Sequence, residues 1–85
     1  MVKVSRGAVR VLKYVLDKHS KGEQPTFTIK EIVQNLDYAI YTVKSIVYEL
    51  KTLDLIAYNR DKKVYVIKSI PQTKKLLEEI EGGKE

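Results

Sequence analysis

Residues 32–56, IVQNLDYAIYTVKSIVYELKTLDLI, decide the fold. Their second half predicts a helix over about 40–53 with two unlike faces. At about 100° per residue, Val43, Ile46, Val47, Leu50 and Leu53 fall on one side, an apolar stripe that must be buried. Tyr41, Lys44, Ser45, Tyr48 and Thr52 fall on the other, at spacings of three, four and seven. That face carries two aromatics, a lysine and two hydroxyls, and no acid lies within it. A merely solvated face mixes Glu with Lys at every turn. This one is suited to touching a partner.

Before this helix, Ile32, Val33 and Leu36 form the apolar edge of a shorter one over about 29–36, and residues 37–40 make the connection. Helices joined by so short a turn must cross, which holds the second out from the body of the domain. Thr28 and Glu31 have the spacing of a capping box, in which each side chain satisfies a backbone donor of the other residue. After the helix, alternating residues over about 55–67 read as a hairpin, with Asn59-Arg60-Asp61-Lys62 as its tip and Lys63 beginning the return strand.

Through Ile32, Leu36, Thr42, Val43, Leu50, Leu55 and Ile56, the chain resembles the winged helix-turn-helix DNA-binding domains of small prokaryotic transcription regulators, those of archaea and archaeal viruses among them. The resemblance extends over nearly the whole sequence. It departs at Asp37, where that family commonly has glycine, and at Ala39, where a serine or threonine N-cap is common. It implies an α+β fold: a three-helix core, a β-hairpin wing and a C-terminal fourth helix in one domain over 1–85. It also implies that Thr26-Phe27-Thr28 pairs with the hairpin as a minor third strand, placing Phe27 in the core.

The outer segments fit this layout. Ser5 is a plausible N-cap for a first helix over about 5–18, with Ala8, Val11, Leu12, Val15 and Leu16 on one stripe and Arg6, Arg10, Lys13 and Tyr14 off it. His19, the single histidine, follows near the helix end, where its charge would be favourably placed. Ser69, Pro71 and Gln72 open a last helix over about 70–81, stopped by Gly82-Gly83. Its stripe of Thr73, Leu76, Leu77 and Ile80 has two readings: packing on the first helix, or a homodimer contact through Leu76, Leu77 and Ile80. The second reading follows the habit of the resembled regulators, which often dimerise through terminal helices.

Composition narrows the function classes. Eighty-five residues suit one domain with a small core, and the chain has no cysteine for a disulfide framework or zinc finger. No run approaches the roughly 18 apolar residues of a membrane span. Basic residues threaded through MVKVSRGAVRVLKYV interrupt any signal-peptide segment, so a cytoplasmic protein is expected. Charged residues make up 32% of the chain beside three Gln and two Asn, a thermophile-like balance. There is no glycine-rich phosphate loop, no nucleophile with a histidine partner at readable spacing and no metal-ligand cluster. Neither an enzyme, a cofactor nor a small-molecule ligand is expected.

The net charge of +5 is unevenly spread: +5 over residues 1–21, −2 over 22–37, +3 over 38–68 and −1 over 69–85. Positive charge over the first helix and the helix-plus-hairpin region suits a polyanion. Two function classes follow. In the first, the protein is a regulator of transcription that reads double-stranded DNA. Tyr41, Thr42, Lys44, Ser45 and Tyr48 then face the major groove, Arg60, Lys62 and Lys63 at the wing tip meet the backbone, and helix 1 or 2 braces from the side. In the second, it is a protein-interaction module in which Tyr41 and Tyr48 anchor a protein interface.

Overall fold

Ser5 starts the first helix, α1 (Arg6–Ser20): its backbone is extended and its Oγ accepts the Ala8 N–H at 3.2 Å. The computed structural model describes residues 4–82. Along the chain come β1 (Thr26–Phe27), α2 (Ile29–Leu36), α3 (Ile40–Thr52), β2 (Ile56–Asn59), β3 (Val64–Ile67) and α4 (Ile70–Gly82). The strands form an antiparallel sheet in the order β1-β3-β2. Four helices on such a sheet are compatible with a winged-helix layout. The glycine stop expected at Gly83 lies outside the described residues.

Each element begins and ends for a local reason. Thr28 Oγ1 accepts the Glu31 N–H at 3.0 Å and opens α2. Asp37 closes it in the left-handed conformation, φ 58°, which Asp tolerates better than most residues. Ala39 precedes α3 with no side-chain cap, as its missing oxygen requires. At the far end of α3, Leu55 N–H reaches Leu50 O and Asp54 N–H reaches Lys51 O, both at 3.0 Å. With Asp54 at φ 61° this is a Schellman stop, and Leu50 and Leu55 are buried, as that motif favours. Ser69 Oγ accepts the Gln72 N–H at 3.3 Å to begin α4.

The core collects what the helical and strand periods place inward. Ala8, Val11, Leu12 and Val15 of α1 meet Ile32 of α2, and Val43, Ile46, Val47 and Leu50 of α3. Leu55, Ile56, Ile67 and Phe27 close it from the sheet side. Fully burying a side chain of this size is worth about 1.5–3 kcal/mol, so these residues dominate the stability. Phe27 sits opposite Tyr65 on β3, and their rings stack at 5.5 Å between centroids. Tyr58 lies across from Tyr65 on the other side, at 4.9 Å.

Four details differ from the sequence-based expectations. First, the hairpin tip is shifted by one residue. Asn59 pairs with Val64 in the ladder, its Oδ1 accepts the Lys62 N–H at 3.1 Å, and Lys63 takes φ 57° as the last turn residue. Lys63 therefore does not begin the return strand. Second, α1 continues to Ser20, whose Oγ donates to Asp17 O at 2.7 Å.

Third, the capping box is not the whole role of Glu31, whose carboxylate takes partners beyond the Thr28 backbone. The Glu31 carboxylate turns mainly to α1, accepting from Tyr14 Oη at 2.8 Å and Lys18 Nζ at 2.5 Å. Lys18 also donates to Thr26 O at 2.8 Å, so one cluster ties α1, β1 and α2. Fourth, of the two readings of the α4 stripe, packing within the chain takes Leu77 out of the expected dimer contact. Thr73 and Leu77 are 1% and 6% exposed. Leu76 is half-buried beside Leu53 and Leu55, and Ile80 is half-buried beside Val4 and Val9.

The Tyr14–Lys18–Glu31 cluster makes stability depend on pH. Burial, then the hydrogen bond to Glu31, pushes the Tyr14 phenol up to about 12. Burial alone would raise the Glu31 carboxyl, but hydrogen bonds from Lys18 and Tyr14 outweigh it and hold it below the ordinary glutamate value. A depressed carboxyl stabilises the fold fully above its unfolded pKa, and the contribution disappears as pH falls through the folded one. Glu31→Gln is expected to cost about 1–3 kcal/mol at neutral pH, by analogy with other hydrogen bonds to charged groups. Denaturant melts of parent and variant should converge in acid. A difference that stays constant across that range would contradict the assignment.

Candidate nucleic-acid interface

One helix presents most of the residues singled out by the sequence. Val43, Ile46, Val47 and Leu50 press α3 into the core, which turns Tyr41, Lys44, Ser45 and Tyr48 to solvent. Tyr41 and Tyr48 are 75% and 74% exposed, more than any other large apolar or aromatic side chain described. Buried aromatics supply much of a core's energy, and these two contribute little of theirs to this fold. Thr42 departs from the expected set: it is half-buried and lines a groove between α3 and α1. Thr52 Oγ1 is spent locally on Tyr48 O at 2.9 Å.

Ile40, at the junction of the connection and the helix expected over about 40–53, is the first residue of α3 and is 55% exposed. It precedes Lys44 by four and Tyr48 by eight, a continuation of the same ridge. Lys51 is also exposed, in the last turn. The outward surface of α3 is therefore apolar at its start, hydroxylated along its length and cationic at Lys44 and Lys51.

Glu49 is the one acid in α3, and it lies at the edge of this surface that faces α1. Its carboxylate accepts the Ser5 N–H at 2.8 Å and the Ser5 Oγ–H at 2.6 Å, at the N-terminus of α1. A carboxylate there also meets the positive end of the helix dipole. The sequence around Ser5 gives no hint of this, because the partner lies 44 residues away. Gly7 belongs to the same junction: a Cβ at that position would stand 2.7 Å from Ile46 Cδ1, so the missing side chain lets α1 approach α3.

The hairpin tip carries Arg60, Lys62 and Lys63, all exposed and fixed within a turn of defined geometry. Asp61 lies among them, leaving the tip a net cationic feature. The four ion pairs among the described residues involve none of these three bases, nor Lys44. Their charges are open to an outside anion.

Among the described residues, no group of three or more His, Cys, Asp or Glu is placed to hold a metal ion. No described helix is long and apolar enough to cross a membrane. Comparison with known proteins gives no match to the chain among family models, curated proteins or solved structures.

Proposed function

We propose that the protein is a winged-helix DNA-binding regulator of transcription, with α3 in the major groove and the hairpin tip on the phosphate backbone. The observation that carries this reading is the outward face of α3, where Tyr41, Lys44, Ser45 and Tyr48 stand exposed and the helix's only acid, at the edge toward α1, is hydrogen-bonded to Ser5. A lysine can donate to guanine O6 and N7, hydroxyls can donate or accept, and aromatic rings pack against thymine methyls. A 13-residue helix is about 20 Å long, enough to lie along the groove. The unpaired cations at the tip supply the sequence-independent part of such binding.

A second reading has an observation in its favour. Ile40 contributes nothing that a polyanion needs, and together with Tyr41 and Tyr48 it makes an apolar edge of the kind that anchors protein interfaces. Salt separates the two, since phosphate contacts release counterions and packed apolar contacts do not.

The two parts of the DNA surface should fail differently. Lys44→Ala and Tyr48→Ala are each expected to cost about 1–3 kcal/mol on a specific site and to relax preference at particular base pairs, with the melting temperature unchanged. Replacing Arg60, Lys62 and Lys63 together with alanine should weaken binding to all sequences alike, lowering the salt slope by about 0.9 for each phosphate no longer neutralised. Fluorescence anisotropy on matched and mismatched duplexes reads both effects. Parent-like binding by both α3 variants would remove that helix as the reader.

One recognition helix reads few base pairs, so the proposal includes a homodimer on inverted half-sites about 34 Å apart. With Leu77 committed to the core, Leu76 and Ile80 are what remains of the expected seam. The parent should sediment as a dimer at micromolar concentration, and Leu76→Glu with Ile80→Glu as a monomer. A parent that stays monomeric at all accessible concentrations would exclude this seam.

A further inference from the structure

The basic residues of α1 divide into two kinds. Lys13 pairs with Glu81 and Lys18 with Glu31, so each is neutralised within the chain. Arg6 and Arg10 are exposed and take no carboxylate among the described ion pairs. They lie one helical turn apart, about 6 Å along the axis. Both line the groove that runs between α1 and α3, whose other wall includes Tyr41 and Ser45 of the outward face.

This groove is preorganised for an anion. Arg10 Nη1 donates to Tyr38 Oη at 3.0 Å, and its guanidinium carbon lies 5.1 Å from the centre of the same ring. Tyr38 thus fixes the guanidinium with a single donor, leaving the other N–H groups unspent. Glu49 also lines the groove, but its oxygens are engaged by Ser5 at the start of α1. Ser5 supplies only neutral donors, so the Glu49 charge remains; two arginines against one carboxylate leave the groove net cationic, and guanidinium groups suit bidentate recognition of phosphate.

We propose that the α1–α3 groove seats the sugar–phosphate backbone of duplex DNA, with Arg6 and Arg10 as its phosphate ligands and Tyr38 as the residue that positions Arg10. The inference rests on the DNA-binding reading above and adds a contact strand on the α1 side of the recognition helix. It also gives a role to the positive charge of α1, which the hairpin tip and α3 do not use. Tyr41 then stands at the boundary between backbone and groove.

The test is a salt series by fluorescence anisotropy on mixed-sequence duplex DNA, with the parent, Arg6→Ala, Arg10→Ala, the double variant and Arg10→Lys. Each alanine should lower the slope of log affinity against log salt by about 0.9, and the pair by about twice that. Arg10→Lys should keep the parent slope, because the charge remains. A double variant with the parent slope overturns the groove assignment while leaving DNA binding through α3 and the tip intact. A slope reduced equally in Arg10→Lys makes the effect one of packing on Tyr38 and also overturns it. A parent with no salt-dependent binding removes this inference together with the reading on which it rests.

Discussion

The structure depends on how α3 is held across α1. Glu49 sends both carboxylate oxygens to Ser5, and Gly7 clears the space that Ile46 fills. Charge-assisted hydrogen bonds of this length are among the stronger local interactions, and here they join residues from opposite halves of the chain. Their position matters as much as their strength. The one acid of α3 is drawn to the α1 N-terminus, so the outward face of the helix keeps Lys44 and Lys51 without a neighbouring carboxylate. The same contact that orients α3 also sets its surface charge.

A second tie holds the other end of α1. Lys18 and Tyr14 reach Glu31 at the start of α2, and Lys18 also reaches the backbone of β1. Between them, the two ties fix α1 against both helices of the α2–α3 pair and against the sheet edge. The turns that join these elements are less favourable locally. Asp37, Asp54 and Lys63 all occupy left-handed backbone without being glycine, at a typical cost of about 1–2 kcal/mol each. Tertiary packing outweighs those costs, which is how a helix with an uncapped start at Ala39 still forms.

The apolar periods of α1, α2 and α3 are legible in the sequence because a residue at the wrong phase would expose a core side chain. Burial of Val43, Ile46, Val47 and Leu50 follows from spacing alone. The hairpin is legible too, but composition misplaces its tip by one residue, because the Asn59 side chain selects where the ladder ends. Glu31 has the spacing of a reciprocal cap, and that local motif gives no sign of the further partners its carboxylate takes on α1. Leu77 falls on a stripe that could equally face a second copy, since periodicity shows that a face is apolar without showing what covers it. The Glu49–Ser5 tie has no sequence signal, being a contact between residues remote in the chain.

Whether the outward face of α3 meets DNA is the central claim. An amide-resolved NMR titration of the intact chain with duplex DNA addresses it residue by residue. The account predicts that perturbations at moderate salt concentrate on Tyr41, Lys44, Ser45 and Tyr48, with further groups at residues 60–63 and around Arg6 and Arg10, and that α4 is silent. Perturbations confined to α4 or to the buried face of the sheet, or none at saturating DNA, would contradict it.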